Sequence, residues 1–297
     1  DIDYTRLDVF RPKHHTERLF YIARYMRNTT DETERAQLEE IAVKLVNHWI
    51  NNRYESTNWW YNEIAEPNLL AESLFLLRDC LNEEQTNALL KIIEYGVFTK
   101  NSDTLSNTGA NSADIAMTTI KYGAFTGDSK AITFTVNRLL NDLKISNGEG
   151  LKKDHSFFQH GNRIYMGGYG TDFIGGISKA AFMLCGSEYN FSTKQLQNLS
   201  DYICKGLKTV CFGNTMDPTV IGRITARDTE DQTKNLAACL RRLVEKSNIS
   251  EKDTITAFID SIEANTKSDQ GLHFFDNSKF LVINNSDFYF SFRGGDR

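Results

Sequence analysis

The chain has 297 residues, 40% of them hydrophobic and 25% charged, which is enough to bury one large core or two smaller ones. Its formal net charge of −5 argues against general nucleic-acid binding, yet a local basic cleft that takes a polyanionic sugar can coexist with an acidic remainder. No apolar run reaches the ~18 to 20 residues that a membrane-spanning helix needs, and five cysteines without CxxC spacing (Cys80, Cys185, Cys204, Cys211, Cys239) disfavour zinc ribbons and dithiol redox motifs.

The N-terminus, Asp1-Ile2-Asp3-Tyr4, lacks the layout of a signal peptide and is expected to be that of a mature protein or a leaderless fragment. His14-His15 has no carboxylate or cysteine at ligand spacing and reads as a surface pair. From Asp31 to Asn52 the residues Leu38, Ile41, Ala42, Leu45, Val46 and Trp49 form one apolar stripe of an amphipathic helix, capped by Thr30 or Asp31. Pro67 suits a first helical turn with Leu70, Leu74 and Leu77 on one face. Another helix starts at Asn82-Glu83-Glu84-Gln85. Further helices are predicted over 112–125, 129–143, 171–185, 193–210, 228–246 and 251–264. Loops rich in Gly, Asn, Ser and Asp separate them. No strand alternates with each helix, which disfavours a doubly wound sheet. Four of the cysteines fall among apolar helical residues, where buried free thiols are expected.

The pattern changes near the end. Lys279–Ile283 and Phe288–Phe292, rich in β-branched and aromatic residues, flank the turn Asn284-Asn285-Ser286-Asp287 and read as a β-hairpin. A hairpin alone is marginal in water, so the expectation is a fragment. The division predicted is a helical domain over 1–270 and the first strands of a sheet domain over 271–297, continued in a missing segment or a second chain.

Four polar segments could carry chemistry. Asn58-Trp59-Trp60-Tyr61, read as a loop, is either an aromatic platform for sugar rings or a hydrophobic plug. Asn107-Thr108-Gly109-Ala110-Asn111 leads into a helix, where Asn111 either helps hold an anion or simply caps. In Gln159-His160-Gly161-Asn162, followed by Gly167-Gly168-Tyr169-Gly170, an imidazole precedes a glycine-framed tyrosine by nine positions. Lone His and Tyr residues are usually structural, but glycines leave the phenol uncovered. Gly222-Arg223-Ile224-Thr225-Ala226-Arg227 sets two arginines four apart, either solvated or able to grip a carboxylate bidentately.

In this order and spacing, the segments from Asn58 to Arg227 resemble polysaccharide lyase family 8, the hyaluronate, chondroitin AC and xanthan lyases. The resemblance implies a mainly α fold, an incomplete (α/α) toroid followed by antiparallel β domains. It implies a secreted or periplasmic bacterial enzyme that cleaves an acidic polysaccharide by β-elimination. Carried over by position, Asn111, His160, Tyr169 and Arg223 are the catalytic residues, and Asn58, Trp59, Trp60 and Arg227 bind substrate. Whether Tyr169 or His160 takes the proton stays open, as does endo or exo action. The chain departs from the family pattern at Ala65 and Ala226, where Gly and Ser are usual. The family's catalytic glutamate is expected beyond Arg297. No cofactor is needed for the chemistry, no metal ligands are assigned, and a structural calcium stays open. No membrane or nucleic-acid partner is implied.

Chondroitin sulfate or hyaluronan is the favoured substrate, with xanthan as the alternative within the family. Two readings from outside it compete. An α/α-toroid glycoside hydrolase would need a carboxylate pair, for which Asp114, Asp154 and Asp172 are available. A non-catalytic carbohydrate-binding protein would keep the aromatic cleft with an incomplete site.

Overall fold

The computed structural model describes residues 2, 4–5, 11–226, 232–267 and 270–294. Helices dominate: α1 (Lys13–Asn28), α2 (Glu32–Asn52), α3 (Glu66–Leu77), α4 (Glu83–Ile93), α5 (Gly109–Thr126), α6 (Ser129–Asp142), α7 (Tyr169–Leu184), α8 (Gln197–Asp201), α9 (Gln232–Lys246) and α10 (Lys252–Glu263). Short antiparallel pairs join β1 (Gly150–Leu151) to β2 (Phe157–Phe158) and β3 (Cys211–Phe212) to β4 (Thr215–Met216). A three-stranded antiparallel sheet, β5 (Gly271–Phe275), β6 (Phe280–Asn284) and β7 (Tyr289–Arg293), follows α10. The mainly helical class with a closing antiparallel sheet is as expected.

The chain folds into two compact units, one of residues 1–107 and 114–135, the other of 108–113 and 136–297. In the first, α1 packs on α2 and α3, and α3 on α4. Its core includes Leu19, Met26, Val46, Trp49, Leu70, Leu74, Leu89 and Ile93, all nearly inaccessible. The caps follow the sequence. Asp31 accepts from the N–H groups of Thr33 and Glu34, and Asn82 with Gln85 forms a reciprocal capping box.

Three local expectations fail here. Helix α1 was not anticipated, and His15 is buried rather than on the surface. Its Nδ1 bonds the Tyr4 hydroxyl at 2.8 Å and its Nε2 the Leu45 carbonyl at 2.9 Å, so aromatic packing and two polar partners offset the loss of water. Of the five free cysteines only Cys211 is buried, and Cys185 is exposed at the end of α7. Trp59 and Trp60 are not on a loop. They open a helical run that passes through a π-helical turn, Tyr61–Ala65, directly into α3.

In the second unit α7 packs on α9, and α9 on α10. The helix predicted over 193–210 is instead α8, a π-helical turn (Tyr202–Gly206) and a 3₁₀ turn (Leu207–Val210). The His155 carbonyl presses against Gly206 and leaves no room there for a Cβ, which coincides with the widened turn. Strand β5 was missed, and the predicted hairpin strands are each shifted by one residue. Asn285 sets that register, because its side chain accepts from the N–H groups of Asp287 and Phe288, both at 2.9 Å.

Phe275, Phe280, Val282 and Asn284 form the buried face of the sheet. Asn284 Nδ2 donates to the carbonyls of Thr209 and Cys211, at 2.9 and 2.7 Å. Tyr289 donates to Asp217 at 2.7 Å, and the Asn277 N–H to Asp154 at 2.7 Å. The sheet is therefore bound to the second unit's helices and loops by polar ties as well as by burial.

Candidate active site

Tyr169 is the first residue of α7, and the backbone in front of it explains its pose. Gly168 has φ 57° and ψ −106°, a conformation costly for any residue with a Cβ. A Cβ on Gly168 would also collide with Ile224 and the ring of Tyr165. The chain makes a sharp entry into the helix, secured by Gly170 N–H donating to Tyr165 O at 3.0 Å. The Tyr169 phenol is left half-buried at the helix N-terminus.

His160 stands at the tip of the loop after β2, exposed, with φ 57°. A left-handed non-glycine residue costs about 1–3 kcal/mol and persists where its surroundings enforce it. Here Gln159 N–H donates to Arg163 O, and Phe158 pairs with Ile164, which closes the loop behind the imidazole.

These two side chains meet Arg223. The Tyr169 hydroxyl lies 2.9 Å from His160 Nε2 and accepts from Arg223 Nη2 at 2.7 Å. The imidazole is edge-on to the phenol, with ring centres 4.9 Å apart. The Arg223 guanidinium carbon is 5.6 Å from the Tyr169 ring centre. Arg223 itself is fixed by its backbone, whose N–H donates to the Tyr165 hydroxyl at 3.0 Å. Gly222, at φ 58°, lies flat on the Tyr165 ring, where a Cβ would not fit. Tyr165 thus supports both Tyr169 and Arg223. Sequence reasoning passes over Tyr165, whose only signal is its place between the histidine and the glycines.

Chemically, the Tyr169 oxygen sits between a cation and an imidazole. A charge-assisted hydrogen bond to an oxygen strengthens as that oxygen becomes anionic. Either the phenol gives its proton to Nε2, or a neutral Nε2–H joins Arg223 in donating to a phenolate. Both arrangements prepare a proton-transfer group.

Asn111 is in the first turn of α5 rather than before it, because the helix begins at Gly109. Gly176 on α7 lets this turn come close, since a Cβ there would lie 2.5 Å from that of Ala113. In the first unit, Trp59 and Trp60 are 44% and 37% exposed, so they form an open aromatic surface and not a plug. Asn58 spends its side-chain oxygen on the Trp60 N–H at 3.2 Å. Arg227 lies outside the described residues.

Asp154, offered above as a hydrolase carboxylate, holds Ser156 and Asn277 in place. Among the described residues no group of three or more His, Cys, Asp or Glu comes together as a metal site.

An imidazole and a guanidinium converge on one phenol oxygen in a helical scaffold, an arrangement that can hold or move a proton at that oxygen. The family model "Polysaccharide lyase family 8, N terminal alpha-helical domain" matches residues 8–264, and the chain belongs to that family. Chondroitinase-AC of Pedobacter heparinus is 32% identical over 188 residues, covering 62% of this chain and 26% of that protein. A hyaluronate lyase of Thermasporomyces composti is 25% identical over 236 residues, 76% of this chain and 30% of the other. A solved structure of chondroitinase AC lyase superposes with a TM-score of 0.83 at 25% identity, covering 95% of this chain and 42% of that one. The chain therefore spans about a quarter to under half the length of these relatives.

Proposed function

We propose that this chain supplies the helical part of a polysaccharide lyase that cleaves a uronic-acid-containing glycosaminoglycan, chondroitin sulfate or hyaluronan, by β-elimination. The observation that carries the reading is the Tyr169 hydroxyl held between His160 Nε2 and Arg223 Nη2, at 2.9 and 2.7 Å. In the proposed reaction Tyr169, as phenolate, takes the C5 proton of the uronic acid. The electron pair released forms the C4–C5 double bond, and the C4–O4 bond breaks. The departing O4 takes the proton from Tyr169, which restores the phenolate, so no cofactor is consumed.

Removing a proton beside a carboxylate adds charge to a group already anionic. Asn111 and His160 are assigned to stabilise it by hydrogen bonding. Trp59 and Trp60 stack on sugar faces, and Arg227, with Asn58 beside the tryptophans, completes the proposed binding set. The remaining catalytic glutamate and the rest of the β region come from a further segment or a second chain. Secretion or a periplasmic location follows from a substrate too large to cross a membrane. No helix of the described residues is long and apolar enough to span one.

The test is ultraviolet absorbance of unsaturated uronide with the full-length protein on chondroitin, hyaluronan, xanthan and alginate. Absorbing product from the first two supports the reading. Reducing ends without absorbance would make the protein a hydrolase and overturn it.

A further inference from the structure

We infer that Glu149 is a positioning residue for His160, clamping the loops on both sides of the site to one carboxylate. The inference rests on the lyase reading and extends it to a residue outside every motif that suggested it. Glu149 Oε1 accepts from the Gly161 N–H at 2.8 Å. Its Oε2 accepts from Gln159 Nε2 at 2.7 Å and from the Thr108 hydroxyl at 2.8 Å. The residues immediately before and after His160 are thus both tied to Glu149. The third tie reaches Thr108, the residue that leads into α5 and its Asn111.

The surroundings are built to hold that clamp. Gln159 is buried and packs on Gly109, whose φ of +59° and close contact leave no space for a Cβ. Glu149 is presented by the tight turn before β1. There Ser146 N–H donates to Leu151 O, and Gly148 N–H to the Ser146 hydroxyl. The buried ammonium of Lys152 donates to the carbonyls of Ser146 and Gly148. Three donors converging on one carboxylate supply what a left-handed histidine needs, an environment that overdetermines its backbone.

A carboxylate is required, not merely a side chain of that size. Glutamine offers one acceptor oxygen and an amide N–H₂. With its N–H₂ toward Gly161 it meets a backbone donor, and with its N–H₂ toward Gln159 the tie survives only if the buried Gln159 amide turns over and the Thr108 hydroxyl gives up its role as donor. Volume is kept, but the three charge-assisted bonds to one carboxylate are lost.

The test compares Glu149→Gln and Glu149→Ala with wild type in the full-length protein. Turnover is read on the polymer the wild type cleaves. The ¹⁵N resonances of the His160 ring, assigned by their loss in His160→Ala, are read separately. Both variants should lose kcat by about 10- to 100-fold, the scale of a small misplacement of a catalytic group. KM should stay within about threefold, and the His160 resonances should shift. If Glu149→Ala does not fold, Glu149→Gln carries the test. Turnover in Glu149→Gln within about twofold of wild type, with the His160 signals unmoved, would overturn the inference. If the wild type makes no unsaturated product, the lyase reading fails separately. The ring resonances then decide on Glu149 alone, shifted signals supporting its role and unmoved ones refuting it.

Discussion

Replacing Arg223 by alanine isolates one interaction at the proposed centre. Its guanidinium donates to Tyr169 at 2.7 Å, whereas its backbone N–H is anchored separately to Tyr165 at 3.0 Å. Truncation therefore removes the cation without releasing the loop. A hydrogen bond from a charged donor contributes about 1.5–3 kcal/mol. If that bond counts chiefly when Tyr169 carries negative charge, the loss falls on kcat, by about 10- to 100-fold at 1.36 kcal/mol per decade. The thermal midpoint should hardly move, because an exposed side chain away from the core usually contributes within about 0.5 kcal/mol. Initial rates of absorbance increase at saturating polymer, with a thermal melt of the same preparation, give both numbers. An Arg223→Ala variant that keeps kcat within about threefold of wild type would refute the reasoning.

Two further predictions concern the first unit and the substrate surface. Glu66 is buried, and burial pushes its carboxyl up to about 8, outweighing the opposing effects of the Thr16 hydroxyl and the Lys13 charge. The native state then keeps a proton that the unfolded chain releases above its ordinary value of 4.5. Stability from this group is whole below that value and is lost as pH rises toward 8, by about 1.4 kcal/mol per pH unit. Glu66→Gln should flatten the fall in thermal midpoint between pH 5 and pH 8, and parallel curves for variant and wild type would contradict the argument. Trp59→Ala with Trp60→Ala should raise KM by roughly 5-fold or more, since stacked aromatic contacts contribute about 0.5–1.5 kcal/mol each beyond area burial; an unchanged KM would remove the pair from the binding set.

Much of this molecule was legible in the sequence. Periodicity located α2, α3, α4, α6 and α10 to within a few residues, because their apolar stripes and caps are local properties. What escaped depended on distant partners. The burial of His15 needs Tyr4 and Leu45, which only the packing of α1 on α2 brings together. The break in the 193–210 helix coincides with the carbonyl of His155 set against Gly206, a contact between segments about fifty residues apart. Strand β5 exposes Leu272 and Phe274, at 67% and 50%, so its alternation does not mark an inward face. For the site, order and spacing picked out His160, Tyr169 and Arg223, which meet at one oxygen. The side chains that hold them, Tyr165 and Glu149, carry no motif. Their roles exist only once loops far apart in the chain are folded onto one another.

The central claim is that Tyr169 moves the proton. Tyr169→Phe removes only the hydroxyl oxygen on which His160 and Arg223 converge. Formation of unsaturated product, followed by ultraviolet absorbance on the preferred polymer, should fall by about a thousandfold or more, within the range attributed to acid–base groups. Binding of the same polymer should change little. A phenylalanine variant that forms unsaturated product at the wild-type rate would contradict the account.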